Sequence, residues 1–175
     1  MDSVLLVSDR LRYQPVDPAD LDAFHRLVQD AHVRRYLMDG NVFPLEWSSQ
    51  RIRESEALFE RRGVGLWLVY AKATDELVGF CGFLEIPSHH PEPQLVYALF
   101  ERCSGKGYAT AMARTVIAHA RSLPGFAEVL AEVDAVNVAS LRILGKLGFE
   151  HVATHEGIFG PWYLLRQRVP TSPGR

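Results

Sequence analysis

Residues 94–122 narrow most what this chain can fold into. They read QLVYALF, then ERCSGKGYAT, then AMARTVIAHARS: a β-rich apolar run, a loop with two glycines and basic residues, and an alanine-rich apolar stretch. A strand, a short loop and a helix in immediate succession leave several backbone N–H groups without partners at the helix start. The helix dipole adds positive character there, so the arrangement attracts anions. Gly105 and Gly107 permit unusual backbone angles and put no side chain in a ligand's way. Thr110 adds a hydroxyl, and Arg102 and Lys106 add charge. Such a loop either cradles an anion or only turns the chain, and the stretch by itself leaves both readings open. Two common phosphate loops are excluded. Phe100 stands where a P-loop needs its first glycine, and Gly107 stands where it needs Ser or Thr after the lysine. Thr110 occupies the third glycine position of the dinucleotide pattern.

The flanking sequence predicts a mixed α/β domain. RLRYQ at residues 10–14 reads as a strand, and Asp17 to Asp20 supply N-cap chemistry for a helix running to about Leu37. Met38 to Ser48 reads as a loop, after which Ser48 or Ser49 caps a second helix. GLWLVYAKA and ELVGFCGFLEI, parted by Thr74 and Asp75, read as an antiparallel hairpin. A polar break from Pro87 to Pro93 precedes the strand QLVYALF. After the glycine loop and its helix come the strand AEVLAEVDA, a helix from Val138 to Leu147 ended by Gly148, and strands near Glu150–His155 and Trp162–Val169. This order predicts antiparallel strands first and a parallel step around the glycine loop. The 175 residues suit one domain spanning 1–175, with 170–175 read as a flexible tail.

Composition removes several function classes. The net charge of −2 and pI near 6.4 offer no basic field for nucleic acid or an anionic membrane. No apolar run approaches the roughly 18 residues that span a bilayer, and MDSVLLVSDR does not read as a signal peptide. Cys81 and Cys103 match no metal-ligand spacing and read as free thiols, which suits a cytoplasmic location.

A second stretch, NVASLRILGKLGFE, changes the weight of the first. Asn137 opens a helix after a strand, Ser140 lies in its first turn, and Gly148–Phe149 closes it. Taken alone, Asn137 reads as an N-cap and Ser140 as a helix-start residue. Together the two stretches resemble the GNAT superfamily of N-acetyltransferases. Arg102 to Gly107 resembles the acyl-CoA pyrophosphate loop R/Q-x-x-G-x-G/A. Asn137, Ser140, Arg142, Leu144, Lys146, Gly148 and Phe149 match N-x-x-S-x-R-x-L-x-K-x-G-F, found in the branch that includes the ribosomal-protein N-terminal (alanine) acetyltransferases. LRYQPVDPADLDAF, AHVRRYLMDG and LVGFCGF fit loosely, so the resemblance covers about residues 10 to 168.

The resemblance implies a mostly antiparallel central sheet with a splayed parallel pair, flanked by helices, and acetyl-CoA as co-substrate. The backbone of Leu99 and Phe100 would pair with the pantetheine arm, and Arg102, first residue of the loop motif, would be among the residues that bind the cofactor. The N–H groups of Cys103, Ser104, Gly105, Lys106, Gly107, Tyr108, Ala109 and Thr110 would hold the pyrophosphate. An amine would attack the thioester directly. Many members use a tyrosine at the start of the later helix, but no tyrosine occurs here between 109 and 162. Ser140 is the family-consistent substitute as hydrogen-bond donor to the departing thiolate, and Asn137 would position the thioester or pantetheine. Glu85, His89, His90 and Glu92 cluster just before the strand at 94–100. They read as a solvated loop or, if a base is present, as Glu92 or His90 acting through water. Tyr97 reads as core or site wall, and Trp47 and Trp162 as packing or walls of the acceptor pocket. The leading expectation is an N-acetyltransferase. A catalytically silent acyl-CoA-binding sensor or scaffold is the alternative, and a nucleotide-binding domain is disfavoured by the two failed phosphate patterns. The acceptor stays open among protein N-termini, polyamines, amino sugars and amino acids, and a homodimer stays open too.

Overall fold

The computed structural model describes residues 5–86 and 90–168. Among the described residues, eight strands form one sheet: β1 (Leu6–Val7), β2 (Leu11–Pro15), β3 (Leu66–Ala71), β4 (Leu77–Ile86), β5 (His90–Leu99), β6 (Glu128–Asp134), β7 (Glu150–Gly157) and β8 (Gly160–Arg168). Their spatial order is β1-β2-β3-β4-β5-β6-β8-β7. All neighbours are antiparallel except β5 and β6, which run parallel on either side of the glycine loop and helix. The helices are α1 (Leu21–Gln29), α2 (Ala31–Leu37), α3 (Leu45–Arg62), α4 (Tyr108–Ser122) and α5 (Val138–Lys146). Among the described residues, no helix is long and apolar enough to cross a membrane.

The period-two alternation of strand side chains builds a core on each face of the sheet. Leu66 and Leu68 of β3 join Phe24, Leu27, Val28, Val33 and Ile52, which belong to α1, α2 and α3. Trp67 and Val69 point the other way, toward Met112, Ala113, Val116 and Ile117 of α4 and Leu144 of α5. Both faces of β3 are therefore dry, which explains its nearly unbroken apolar sequence. On the α4 face, His119 Nε2 lies 2.8 Å from the Gly63 carbonyl while its ring meets Trp67 edge-on.

Four local expectations change. The single helix expected through Leu37 is broken at Asp30, whose backbone (φ −58°, ψ 133°) is extended and whose carboxylate accepts from the amides of His32 and Val33. An acidic side chain that caps the following turn competes with continuing the first helix. The helix expected to start at Ser48 or Ser49 starts at Leu45 after Pro44, a residue suited to a helix entrance. Ser48 instead lies buried against His25 Nδ1 at 2.8 Å. The polar stretch expected as a break to Pro93 is strand from His90 onward, because backbone pairing with β4 offsets its low β propensity. A short N-terminal strand, β1, was not expected. His89 and the tail at 170–175 lie outside the described residues.

One buried side chain joins α3 to the sheet. The amide of Leu66, first residue of β3, donates to Ser55 Oγ at 2.7 Å, and Ser55 is fully buried. Ser55→Ala leaves that amide without a partner in a dry setting. The variant is expected to lose about 1–3 kcal/mol of stability, read as a lower urea midpoint with an unchanged slope.

Candidate active site at the parted strands

Gln94 opposite Leu130 is the one parallel register pair between β5 and β6 among the described residues. Beyond it the strands part toward their C-terminal ends, and a cavity of about 970 Å³ opens between them. The Phe100 amide donates to the Val78 carbonyl at 3.0 Å. Ladder alternation then turns the backbone groups of Tyr97 and Leu99 away from β4 and toward the opening. Leu99 thus presents its peptide groups to the gap. Phe100 does not, because its amide is spent on β4.

The glycine loop closes one end of the cavity. Gly105 (φ +74°) and Gly107 (φ +77°) take the left-handed conformation, and Gly107 is the N-cap of α4. A Cβ at Gly105 would meet no atom within 4 Å. The first amides of α4, those of Tyr108, Ala109 and Thr110, have no carbonyl one turn earlier and aim out of the helix start. These three residues line the cavity together with Cys103, Ser104, Gly105 and Gly107. Arg102 and Lys106 do not. Arg102 pairs with Glu76 at 2.7 Å and lies over the Phe100 ring, and the Lys106 carbonyl accepts from Arg10 at 2.9 Å. Arg10 also covers the Tyr108 ring, so the loop is braced from outside by cation–π contact.

Helix α5 supplies the facing wall. Asn137 accepts from the Ser140 amide through its side-chain oxygen at 3.1 Å, so it caps the helix while also lining the cavity. Ser140 Oγ lies 2.6 Å from Tyr97 Oη, and both residues line the cavity. Burial pushes the Tyr97 phenol up to about 12, with the Ser140 hydrogen bond acting in the opposite direction. Tyr97 therefore stays protonated near neutrality and is available as a donor. Sequence reasoning held Tyr97 to be core or wall. Its pairing with Ser140 is a tertiary contact across the gap, although its odd-numbered place on a strand ending at the glycine loop was a usable signal.

The other face of the gap differs in charge. Alternation along β5 and β6 puts Gln94, Glu132 and Asp134 on the side of α2, opposite Tyr97. Asp39, Glu132 and Asp134 line this half, Glu156 lines the cavity from the opposite face of its strand, and among the described residues the lining contains no lysine or arginine. Burial raises the Asp134 carboxyl above its ordinary range, reinforced by the negative charge of Asp39. Trp162 lines the cavity and stacks on His155 with ring centroids 4.2 Å apart. Trp47 instead stacks on Phe43 outside it. The expected base candidates are not brought here. Glu92 pairs with Arg62 at 3.0 Å, and His90 Nδ1 accepts from the Glu92 amide, outside the cavity lining.

The parted strands thus hold a helix-start amide cradle on one side and a carboxylate-lined opening on the other. Residues 10–150 match the family model described as the acetyltransferase (GNAT) domain, and the chain belongs to that family. The uncharacterized N-acetyltransferase YoaA of Bacillus subtilis (strain 168) is 28% identical over 147 residues, spanning 83% of this chain and 82% of YoaA. An acetyltransferase from Agrobacterium tumefaciens str. C58 superposes with a TM-score of 0.81 at 20% identity, covering 97% and 96% of the two chains. RimL, a ribosomal L7/L12 alpha-N-protein acetyltransferase solved in complex with coenzyme A, gives 0.79 at 17% identity, covering 94% and 98%. At these identities the two solved structures speak for the fold.

The Tyr97 phenol yields a direct test. Its pKa is raised by folding, so its contribution to stability is complete below about pH 10 and is lost as pH rises toward about 12. Tyr97→Phe is expected to remove one late-ionising phenol from the ultraviolet titration and to flatten part of the alkaline loss of stability.

Proposed function

We propose that the protein is an acetyl-CoA-dependent N-acetyltransferase that acetylates a primary amine by direct attack in a ternary complex. The reading rests on the Tyr97–Ser140 hydroxyl pair, set 2.6 Å apart between the helix-start cradle and the carboxylate-lined half.

The donor half fits acetyl-CoA. The Leu99 peptide groups suit the amide-bearing pantetheine arm, and the cradle from Cys103 to Thr110 suits a pyrophosphate, with open space at Gly105. Acetyl-CoA when bound supplies the activated acetyl group and a thiolate leaving group. The chain's own work then divides between the two faces. Asp134, with its raised carboxyl pKa, is the group suited to take a proton from the incoming ammonium, since an alkyl ammonium has a pKa of roughly 10.4. Peptide N–H groups of β5 facing the gap are suited to stabilise negative charge on a carbonyl oxygen. Ser140 would be placed to donate a hydrogen bond to the thioester sulfur and Tyr97 to donate one to Ser140 in turn, with both hydroxyls keeping their protons. Asn137 holds Ser140 in place through the helix cap.

Three variants test these roles with acetyl-CoA binding followed by calorimetry and turnover followed by free-thiol release. Gly107→Trp strains a left-handed position at the start of α4 and sets its side chain against Arg10, which braces the loop, and is expected to weaken acetyl-CoA binding strongly. Ser140→Ala and Tyr97→Phe are each expected to lower kcat by about ten- to a hundredfold with little change in acetyl-CoA affinity. Unchanged turnover in both would remove the hydroxyl pair from the reaction.

A further inference from the structure

A second cavity, of about 250 Å³, lies away from the parted strands. Residues of α4, of the C-terminal end of α5 and of β8 line it, and none of them lines the cavity between β5 and β6. Gln167 stands opposite Val129, near the N-terminal end of β6, whereas the strands part toward the other end. Arg121 lies about 20 Å along α4 from Tyr108 and the glycine loop.

Two buried polar atoms of this lining have no partner. Gln167 is 8% exposed, and its Nε2 donates to the Leu147 carbonyl while its Oε1 accepts nothing. A flipped amide would set oxygen against oxygen, so the acceptor is the atom left over. Arg121 Nη2 donates to the Arg168 carbonyl at 3.2 Å, which brings its guanidinium to the strand that carries Gln167. Arg121 Nε is buried and finds no acceptor. Each such unmade bond costs about 1–3 kcal/mol, and folded proteins rarely leave one without a water or an ion.

Charge says which. Arg114, Arg121 and Lys146 line the cavity and, among the described residues, no carboxylate does, although the chain's net charge is −2. Arg121 and Lys146 suit the C-terminal ends of their helices, where partial negative charge gathers. Arg114 has no such reason: it stands exposed in the middle of α4. A water would satisfy the two buried atoms but leave three cations uncompensated. An oxyanion compensates the cations and accepts from Arg121 Nε. To satisfy Gln167 Oε1 as well, it must carry a proton of its own. Sulfate and simple carboxylates carry none at neutral pH. A phosphate monoester loses its last P–OH proton at about pH 6. Inorganic phosphate keeps a P–OH throughout the neutral range.

We propose that this cavity is a binding site for hydrogen phosphate. Arg114, Arg121 and Lys146 hold its charged oxygens, and its P–OH donates to Gln167 Oε1. The bound ion ties α4 and the end of α5 to β8, and the site stands independently of the proposed N-acetyltransfer.

Calorimetric titration of the full-length protein with inorganic phosphate, sulfate and methyl phosphate, in a chloride buffer slightly above neutrality, tests this. Each titration is run with and without saturating CoA, because an anion can also enter the amide cradle at the start of α4. With CoA present, phosphate is expected to bind at least about tenfold more tightly than sulfate or methyl phosphate. Gln167→Met removes the acceptor at similar volume and is expected to cut that preference to about threefold or less. Arg114→Gln, at an exposed position, is expected to weaken phosphate and sulfate alike by about tenfold. Arg53→Gln, on α3 outside this lining, is expected to change neither. Sulfate or methyl phosphate binding as tightly as phosphate overturns the inference, and so does the absence of phosphate binding in the presence of CoA. Undiminished phosphate affinity in Arg114→Gln, or an undiminished preference in Gln167→Met, overturns it too. Phosphate binding that responds to Arg114 and Gln167 in a protein that does not take up CoA upholds this site and overturns the acetyl-CoA reading.

Discussion

The parting of β5 from β6 is the constraint on which the rest depends. Two parallel strands that stayed paired to their ends would bury the peptide groups of Tyr97 and Leu99 in a continuous ladder and seal the sheet. Here they separate after Gln94 meets Leu130. The separation opens a cavity, exposes strand edges inside the protein, and connects two faces that a sheet normally keeps apart. Helices α4 and α5 hold one side open with their N-terminal ends, and α2 covers the other. The unpaired edge is shielded by these elements, so it carries little risk of pairing with another chain.

The same opening explains how chemistry of opposite kinds can share one small volume. Side chains alternate along a strand, so neighbouring residues of β5 face different solvents, partners and charges. Tyr97 points toward a helix that brings a serine. Gln94 points toward a strand and helix that bring carboxylates. A single sheet thereby separates a half lined by helix-start amides from a half lined by carboxylates without a second domain. The carboxylates stay in the negative half at an electrostatic cost, visible in the raised carboxyl of Asp134.

Much of this was legible in the residues. Glycines at 105 and 107 between an apolar strand and an alanine-rich helix announced the cradle, because few other residues tolerate left-handed backbone there. The segment from Asn137 to Phe149 announced its companion helix, and the order of elements announced the parallel step. What was not legible required distance. Tyr97 and Ser140 are 43 residues apart, and no periodicity reveals that their hydroxyls meet. Glu92 lies two residues from Gln94 but pairs with Arg62 at the end of α3, so proximity in sequence misdirected the search for a base. Gln94 reads as one polar residue in an apolar run. Only the register of β6 shows that its amide is half satisfied. The break at Asp30 was missed for a related reason: an aspartate caps a helix only when the chain has already bent, and local pattern favoured a continuous helix.

That break has a consequence for how such a protein can change. Helix α2 carries His32, Tyr36 and, just past its end, Asp39 to the rim, and it is tied to α1 through the peptide at Asp30. The three rim residues therefore travel as a unit when the bend alters by a few degrees. Substitutions around Asp30, outside the cavity lining, would reshape the entrance as a whole while the glycine loop and the start of α4 stayed in place. A chain of this architecture would then have a route to a differently shaped entrance that leaves the glycine loop untouched.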